Sequence, residues 1–268
     1  LLLVLFCCML GCRNKQHNKV NENVRDLSQI KDSGELVVLT LYSSTSYFNY
    51  RGQEMGFQYE LSEQFAKSMG LKLRIEVANS VDELIRKLLA GEGDMIAYNL
   101  PITKEWKDSI LYCGEDIITH QVIVQQGKSK SLKDVTELVG KDIYVKPGKY
   151  YDRLVNLNSE LGGGIRIHEV TNDSTTIEDL ITQVAQGKIP YTVADNDLAK
   201  LNKTYYPNLN IDLSISFDQR YSWAVQKDSP ELAAAATKWH QENMTSPAYT
   251  ASMKRYFENS KMMPHSPI

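Results

Sequence analysis

The sequence predicts an α/β protein with two lobes, each a mostly parallel sheet flanked by helices. Three observations predict this fold. Short apolar runs that suit buried strands alternate with segments whose apolar residues recur every three or four positions, as on one face of a helix. Glycines follow several of these helical segments, where a left-handed C-cap is expected. The order helix, glycine, short strand and polar elbow then occurs twice, over residues 88–99 and 181–195.

The first unit begins with a buried strand over Leu36–Leu41. Apolar residues at positions 57, 61, 65 and 69 predict a helix that ends at Gly70. Alternating apolar residues over 71–77 predict a second strand. Ser80 and Glu83 form a capping-box pattern at the start of the next helix, which ends at Gly91. This alternation of strands and helices predicts parallel strands with helices on both faces of the sheet.

The rest of the chain continues the pattern. Tyr221–Val225 is predicted to be a strand that returns to the first lobe, and Ser229-Pro230 and Ser246-Pro247 predict the starts of the last two helices. The other predicted elements are short helices at 27–32 and 132–139, an extended segment at 121–125, strands at 142–145, 165–170, 191–194 and 209–215, and helices at 151–161 and 177–186.

The stretch Gly91–Trp106 contains the clearest indication of a ligand site. Met95–Ala97 predicts a buried strand, the polar pair Tyr98 and Asn99 follows it, and Thr103 is a candidate N-cap for a new helical turn. Ligands of open α/β sheets bind just beyond the carboxyl ends of the strands, and helix N-termini attract anionic groups. We therefore expect residues of this stretch to face a ligand.

Composition narrows the class of function. The chain has 268 residues, of which 42% are hydrophobic and 24% charged, which suits one or two globular domains. The formal net charge of -3 gives no electrostatic support for nucleic-acid binding. The five histidines lack the spacing of metal ligands, and no P-loop, dinucleotide or nucleophile-elbow motif occurs. We expect no metal, no cofactor and no catalytic residues in this chain.

The first 12 residues are predicted to be part of a lipoprotein signal peptide. Residues 1–10 are apolar but shorter than the roughly 20 residues of a membrane span. Met9-Leu10-Gly11-Cys12 resembles a lipobox, in which cleavage precedes Cys12 and lipid is attached to it. A truncated signal-anchor helix is the alternative. Residues 13–33 are expected to form a tether, and residues 260–268 a linker to a further domain.

Several segments together resemble the family 3 extracellular solute-binding proteins. The resemblance covers roughly Gly34 to Asn259 and implies a type II periplasmic-binding-protein fold in which two crossing strands form a hinge. It places lobe 1 at residues 34–120 and 221–259 and lobe 2 at residues 121–220. The segments that carry it are Gly56–Leu61, Gly91–Ile96, Ile102–Glu105, Val145–Tyr151, Gly187–Asp195 and Ala224–Pro230.

A narrower resemblance is to the N-terminal modules of the membrane-bound lytic transglycosylase F family, in which such a lobe pair precedes a lysozyme-like catalytic domain. Gly52–Leu61, the lipobox and Lys254–Phe257 carry it. It implies a monomeric module on the periplasmic side of the outer membrane, anchored by lipid on Cys12, that regulates an enzyme acting on peptidoglycan. Two alternatives remain. One is a stand-alone lipoprotein that feeds an ABC importer of amino acids or peptides, and the other is a scaffold that binds a protein partner.

The resemblance also implies where a ligand would bind. Amino-acid-binding members clamp the ligand carboxylate with an Arg where this chain has Trp106, and an indole cannot replace a guanidinium. Asp195 lies where the family has the acid that receives the ligand's ammonium. Helix packing for Trp106 and an N-cap role for Asp195 are the alternatives. A peptide or cell-wall fragment therefore fits better than a free amino acid. The predicted ligand-binding residues are Tyr42, Tyr47, Phe48, Tyr98, Asn99, Thr103, Trp106, Lys149, Tyr150 and Asp195.

Overall fold

The computed structural model describes residues 23–172 and 174–257. The predicted lipidation of Cys12 and the predicted linker at 260–268 lie outside the described residues. The helices are α1 (Leu27–Ser33), α2 (Phe57–Ser68), α3 (Val81–Leu89), α4 (Lys149–Glu160), α5 (Ile177–Ala185), α6 (Asn196–Tyr205), α7 (Pro230–Asn243) and α8 (Pro247–Phe257). The strands are β1 (Glu35–Leu41), β2 (Phe48–Tyr50), β3 (Gln53–Met55), β4 (Lys72–Ala78), β5 (Met95–Pro101), β6 (Ile110–Thr119), β7 (Gln121–Gln126), β8 (Asp142–Val145), β9 (Arg166–Glu169), β10 (Thr192–Asp195), β11 (Leu209–Asn210) and β12 (Gln219–Gln226).

The first lobe is built on a five-stranded sheet with the order β4-β1-β5-β12-β6. β1 pairs in parallel with β4 and β5, as the alternation of strands and helices predicts. β12 pairs antiparallel with both β5 and β6, because it returns from the second lobe instead of arriving through a helical crossover. The α/β fold with two lobes is confirmed, and the sheet is mixed in strand direction.

Helices cover both faces of this sheet because successive side chains of β1 point to opposite sides. Leu36 and Val38 pack in one apolar cluster with Phe57 of α2. Leu39 packs in another cluster with Leu84 of α3. α7 and α8 contribute further side chains to the α2 side, which makes that side the larger core of the lobe.

The second lobe has a smaller sheet with the order β10-β7-β11, antiparallel throughout, and a separate parallel pair, β8 and β9. A parallel bridge between Ile143 and Tyr191 connects the two parts. One apolar cluster lies under α4 and includes Leu154, and a second lies under α5 and includes Ile181. This lobe is therefore also a sheet with helices packed on it.

Helix α6 packs in both lobes. Leu198 and Ala199, near its start, belong to an apolar cluster of the second lobe. Leu201, in its middle, is buried in the core of the first lobe, and Tyr205, its last residue, packs against the same core. α6 also contacts α8, the last helix that the structure describes.

Two segments cross between the lobes. His120 joins β6 directly to β7, and residues 211–218 lead from β11 back to β12. His120 Nδ1 lies 3.4 Å from Asp218 Oδ1, and the Gln121 amide donates to Ser216 Oγ at 2.8 Å. The segments therefore lie side by side, and their role as a hinge stays a prediction.

The structure differs from the sequence-based prediction in four places. The predicted strand at 209–215 is interrupted after Asn210, because the side chains of Asn210 and Asp212 bond each other and the local backbone; the chain pairs with β7 again through a bridge between Ser214 and Val122. The helix predicted at 132–139 is a single 3-10 turn at Val135–Leu138. The sequence pattern does not predict the β2–β3 hairpin or β6. Within β6, Gly114 adopts a φ of 78° beside a bulge in β12, and this irregularity removes the expected alternation.

Candidate ligand-binding cleft

Polar side chains from both lobes meet between them at the carboxyl end of β5 and the starts of α4, α5 and α6. Several hydrogen bonds cross directly from one lobe to the other. Ser44 Oγ donates to Glu178 Oε1 at 2.9 Å, and Asn99 Nδ2 donates to Asp197 Oδ2 at 3.4 Å. The two lobes are therefore in contact across the predicted cleft.

Lys149 lies at the centre of this cleft. Its Nζ donates to Asp195 Oδ2 at 2.6 Å and to the Tyr221 hydroxyl at 3.3 Å. The same ammonium lies 4.6 Å from the centroid of the Tyr221 ring and 5.2 Å from that of the Tyr150 ring. Burial disfavours the charge, but the attractions of Asp195, Tyr221 and Tyr98 together outweigh it, so the pKa of Lys149 is raised.

Asp195 occupies the N-cap position of α6, but its side chain makes no capping hydrogen bond. One carboxylate oxygen binds Lys149, and the other, Oδ1, is buried without a hydrogen-bond partner among the described residues. The backbone amide of Asp195 donates to the Tyr150 hydroxyl at 3.3 Å. The carboxylate is thus aimed at the cleft and not at the start of its own helix, which argues against the N-cap alternative.

Tyr98 and Asp197 complete the polar lining near Lys149. Burial raises the pKa of Tyr98 to about 12, and the neighbouring Lys149 partly offsets that rise. Burial also raises the pKa of Asp197, and the negative charge of Asp195 adds to the effect. Two carboxylates and one ammonium therefore share a poorly hydrated space, in which each charge depends strongly on its neighbours.

Asn99 is held by a chain of hydrogen bonds that begins in the core of the first lobe. The Trp223 indole N–H donates to Gln58 Oε1 at 2.6 Å, and Gln58 Nε2 donates to Asn99 Oδ1 at 2.9 Å. Asn99 then donates to Asp197 in the other lobe. Because Trp223 and Gln58 are buried, this series of hydrogen bonds fixes the direction in which the Asn99 amide faces the cleft.

The tyrosines after β1 lie at the edge of this region. Tyr42 is exposed and contacts the ring of Tyr47 edge to face. The Tyr47 hydroxyl donates to Glu54 at 2.8 Å, and burial raises its pKa to about 12. Phe48 is 3% exposed and packs in the core against Tyr256. This placement leaves Phe48 almost no surface for a ligand.

The segment after β5 forms turns instead of the predicted helical start. No helix follows Thr103 in the described structure, where residues 105–109 are turns, so the predicted N-cap is wrong. The reason is that only a few residues separate β5 from β6, too few for a helix to propagate. Trp106 is partly buried against the apolar cluster on the α3 side of the sheet. Its placement fits the packing alternative.

Four cleft residues were not among those predicted from the sequence: Ser44, Glu178, Asp197 and Tyr221. Glu178 and Asp197 lie in the first turns of α5 and α6, where acidic residues are common for reasons of the helix dipole alone. Tyr221 is part of a predicted strand without a distinctive motif. The acidic Asp195-Asn196-Asp197 run is the one local signal that could have indicated the second carboxylate.

Outside the cleft, the described residues offer no clear metal site, reactive thiol or membrane-spanning helix. No group of three or more His, Cys, Asp or Glu side chains among them could hold a metal ion. Burial raises the pKa of the Cys113 thiol to about 12, which makes it a poor nucleophile. Open hollows of about 380–490 Å³ lie on outer surfaces away from the cleft. Among the described helices, none has the length and apolar character that crossing a bilayer requires.

Two α/β lobes, two crossings and a polar cleft define the fold class of the type II periplasmic binding proteins. The sequence pattern of the bacterial extracellular solute-binding proteins, family 3, matches residues 36–259, and the chain belongs to this family. AbpA of Streptococcus pneumoniae, an amino acid ABC transporter substrate-binding protein bound to L-arginine, is similar in structure, with a TM-score of 0.70 and 20% identity over 88% of this chain and 100% of AbpA. Holo ArgBP from T. maritima has a TM-score of 0.64 and 24% identity over 86% and 99% of the two chains. At these identities the likeness concerns the fold.

Sequence relatives are similar over most of this chain but extend beyond it. A membrane-bound lytic murein transglycosylase F from Desulfosudis oleivorans is 30% identical over 236 residues, which are 88% of this chain and 51% of that protein. The protein of the same name from Pseudomonas putida (strain GB-1) is 32% identical over 79% of this chain and 44% of its own length. The chain therefore spans about half the length of the curated relatives that it matches.

Proposed function

We propose that this chain is a lipid-anchored periplasmic ligand-binding module that regulates a lytic transglycosylase acting on peptidoglycan. The similarity to proteins named membrane-bound lytic murein transglycosylase F over most of the chain carries the proposal. The chain matches about half of those relatives, which is consistent with a module of a longer enzyme. In such a protein, a ligand that favours the closed pair of lobes would bias the attached enzyme.

The proposed ligand is a peptide-bearing fragment of the cell wall. The cleft offers donors and acceptors from both lobes, among them Ser44, Asn99 and Asp197, whereas a guanidinium for clamping a free carboxylate is missing at Trp106. The Asp195 carboxylate, which could receive an ammonium, already holds Lys149. A larger ligand that uses many neutral hydrogen bonds suits this cleft better than a free amino acid.

Thermal-shift and calorimetric titrations test ligand binding. We expect a purified disaccharide-tetrapeptide from digested peptidoglycan to raise the Tm of the chain, and free arginine to leave it unchanged. Asp195→Ala should abolish the shift, because it leaves the Lys149 ammonium without its acid at the centre of the cleft, whereas Asp212→Ala, which removes an exposed acid outside the cleft, should retain it. An unchanged shift in Asp195→Ala would remove Asp195 from the site. Stabilisation by neither compound would favour the scaffold alternative.

Testing the lipid anchor and the regulatory role requires the intact protein, expressed from its native gene. We expect it to fractionate with membranes, and Cys12→Ala to release it. We also expect the soluble fragment to change the rate at which the intact protein digests purified peptidoglycan. A rate that does not respond to the fragment would refute the regulatory role.

The importer alternative has one supporting observation, the structural likeness to an ABC transporter substrate-binding protein. In that case arginine or another free amino acid would raise the Tm, and the disaccharide-tetrapeptide would not. The same titrations therefore separate the two functions.

A further inference from the structure

The surroundings of Lys149 have the composition of a binding site for an alkylammonium group. Two aromatic rings, Tyr150 and Tyr221, lie within 5.2 Å of the ammonium, and one carboxylate, Asp195, contacts it at 2.6 Å. Aromatic faces combined with an acid are a general means of recognising organic cations. The set forms a cation cage, which we define as Tyr150, Asp195 and Tyr221, and the chain fills this cage with its own side chain.

We propose that Lys149 is a built-in occupant of this cation cage and that it determines ligand specificity by excluding ligands whose recognition needs a free ammonium. The inference rests on the proposed function only in treating the cleft as a ligand site. A ligand with an ammonium group would have to displace a tethered competitor. The tether keeps the effective concentration of the lysine ammonium high, so small free amino acids are disfavoured as a class.

The position of Lys149 on its helix supports this role. Lys149 is the first residue of α4, where a positive charge is unfavourable next to the positive end of the helix dipole. The stability of the helix therefore does not explain a lysine at this position. Its ammonium is instead compensated by Asp195, whose second oxygen is buried and has no hydrogen-bond partner in the part of the chain that the structure describes.

The cage also spans both lobes. Tyr150 and Asp195 belong to α4 and β10 of the second lobe, whereas Tyr221 belongs to β12 in the sheet of the first lobe. The Tyr221 hydroxyl is held in place because it donates to Gln219 Oε1 at 2.7 Å. Lys149 thus makes, from within the chain, the contacts that a bound cation would make with both lobes.

Chemical rescue of a truncated lysine tests the proposal. In Lys149→Ala the cage is empty, and propylammonium chloride should raise the Tm in a saturable manner relative to sodium chloride at the same concentration. The wild-type chain should show no such rise. Lys149→Met, which fills the cage with an uncharged side chain of similar length, and the double variant Lys149→Ala/Asp195→Asn are the matched controls and should not respond. A response of the wild type equal to that of Lys149→Ala, or no response of the folded Lys149→Ala chain, would overturn the proposal.

A measurement on the wild-type chain covers the case in which Lys149→Ala does not fold. Acetic anhydride modifies neutral amines, and peptide mapping gives the rate at each lysine. We expect Lys149 to react at least about tenfold more slowly than Lys238, because a rise of one in the pKa of an amine lowers its neutral fraction about tenfold; the Lys238 side chain is 75% exposed. In Asp195→Asn the rate at Lys149 should increase. Equal rates at Lys149 and Lys238 in the wild type would show that the cage is not occupied.

The two proposals fail in different ways. If the disaccharide-tetrapeptide does not bind but propylammonium rescues Lys149→Ala, the proposed ligand is wrong and the role of Lys149 stands. If the fragment binds and the rescue fails, the proposed function stands and Lys149 is an ordinary cleft residue.

Discussion

Replacing Asp94 with alanine is expected to destabilise the first lobe strongly. The Asp94 carboxylate accepts hydrogen bonds from Arg25 Nε at 2.9 Å and Nη2 at 2.6 Å, and its Oδ2 also accepts the Val37 amide at 2.8 Å. The Asp94 side chain is 5% exposed and that of Arg25 29%. These bonds fix the start of β5, the strand that carries Tyr98 and Asn99 to the cleft.

The expected loss in the free energy of unfolding follows from the burial of this ion pair. Removing one partner of a buried pair costs about 3–5 kcal/mol, because the other charge is left uncompensated. Arg25 retains some contact with water, so we expect the lower end, about 3 kcal/mol, for Asp94→Ala. Asp94→Asn keeps an acceptor for the Val37 amide and should therefore cost less.

Urea unfolding followed by circular dichroism measures the loss. The matched control is Arg74→Ala, since Arg74 also pairs with acids, Glu35 and Glu76, but all three side chains are at least 40% exposed. Exposed pairs of this kind contribute about 0–1 kcal/mol. A loss from Asp94→Ala no greater than the loss from Arg74→Ala would refute the reasoning.

Three further predictions concern packing, pH and the contact between the lobes. Gly93→Ala places a Cβ 2.4 Å from a side-chain atom of β1 and should cost about 1–3 kcal/mol in urea unfolding, more than Gly127→Ala, whose nearest contact is 3.3 Å. Burial lowers the pKa of His240 to about 4, below its ordinary value of about 6.5. The unfolded chain then binds a proton that the folded chain does not, so stability should fall by roughly 2–3 kcal/mol as the pH falls from about 6.5 to 4. His240→Gln should lose this part of the pH dependence in urea midpoints, and an identical dependence would contradict the assignment. Glu178→Ala removes a hydrogen bond between the lobes and should weaken their contact by about 0.5–1.5 kcal/mol, seen as a larger radius of gyration by X-ray scattering; Glu160→Ala, on an outer surface, should leave it unchanged.

The parts of the fold that follow from local sequence pattern could be predicted. β1, α2, β4, α3 and β5 have clear periodicity and end signals, and the structure contains all five. Ser80 caps α3 as expected, because its side chain accepts the Glu83 amide. The direction of β12 and its position between β5 and β6 depend on a return from the other lobe, and a local pattern does not contain that information.

The site could be predicted only in part, for a similar reason. Asn99 lies near the end of β5 and Asp195 ends β10, and the structure brings both to the cleft. The partners of these residues, Asp197 and Lys149, are set by how the second lobe folds and packs. That Lys149 would pair with Asp195 depends on the relative placement of α4 and β10, elements that are 46 residues apart in the chain at this contact.

Helix α6 connects the gap between the lobes with the core of the first lobe. Its first turn touches the charges between the lobes, and its last turns are embedded beside α8 in the core of the first lobe. One continuous helix thus connects the charged gap at Asp197 with the packing of Tyr205 against the core of the first lobe. α8, the last helix that the structure describes, therefore packs beside the same helix whose first turn lines the gap between the lobes.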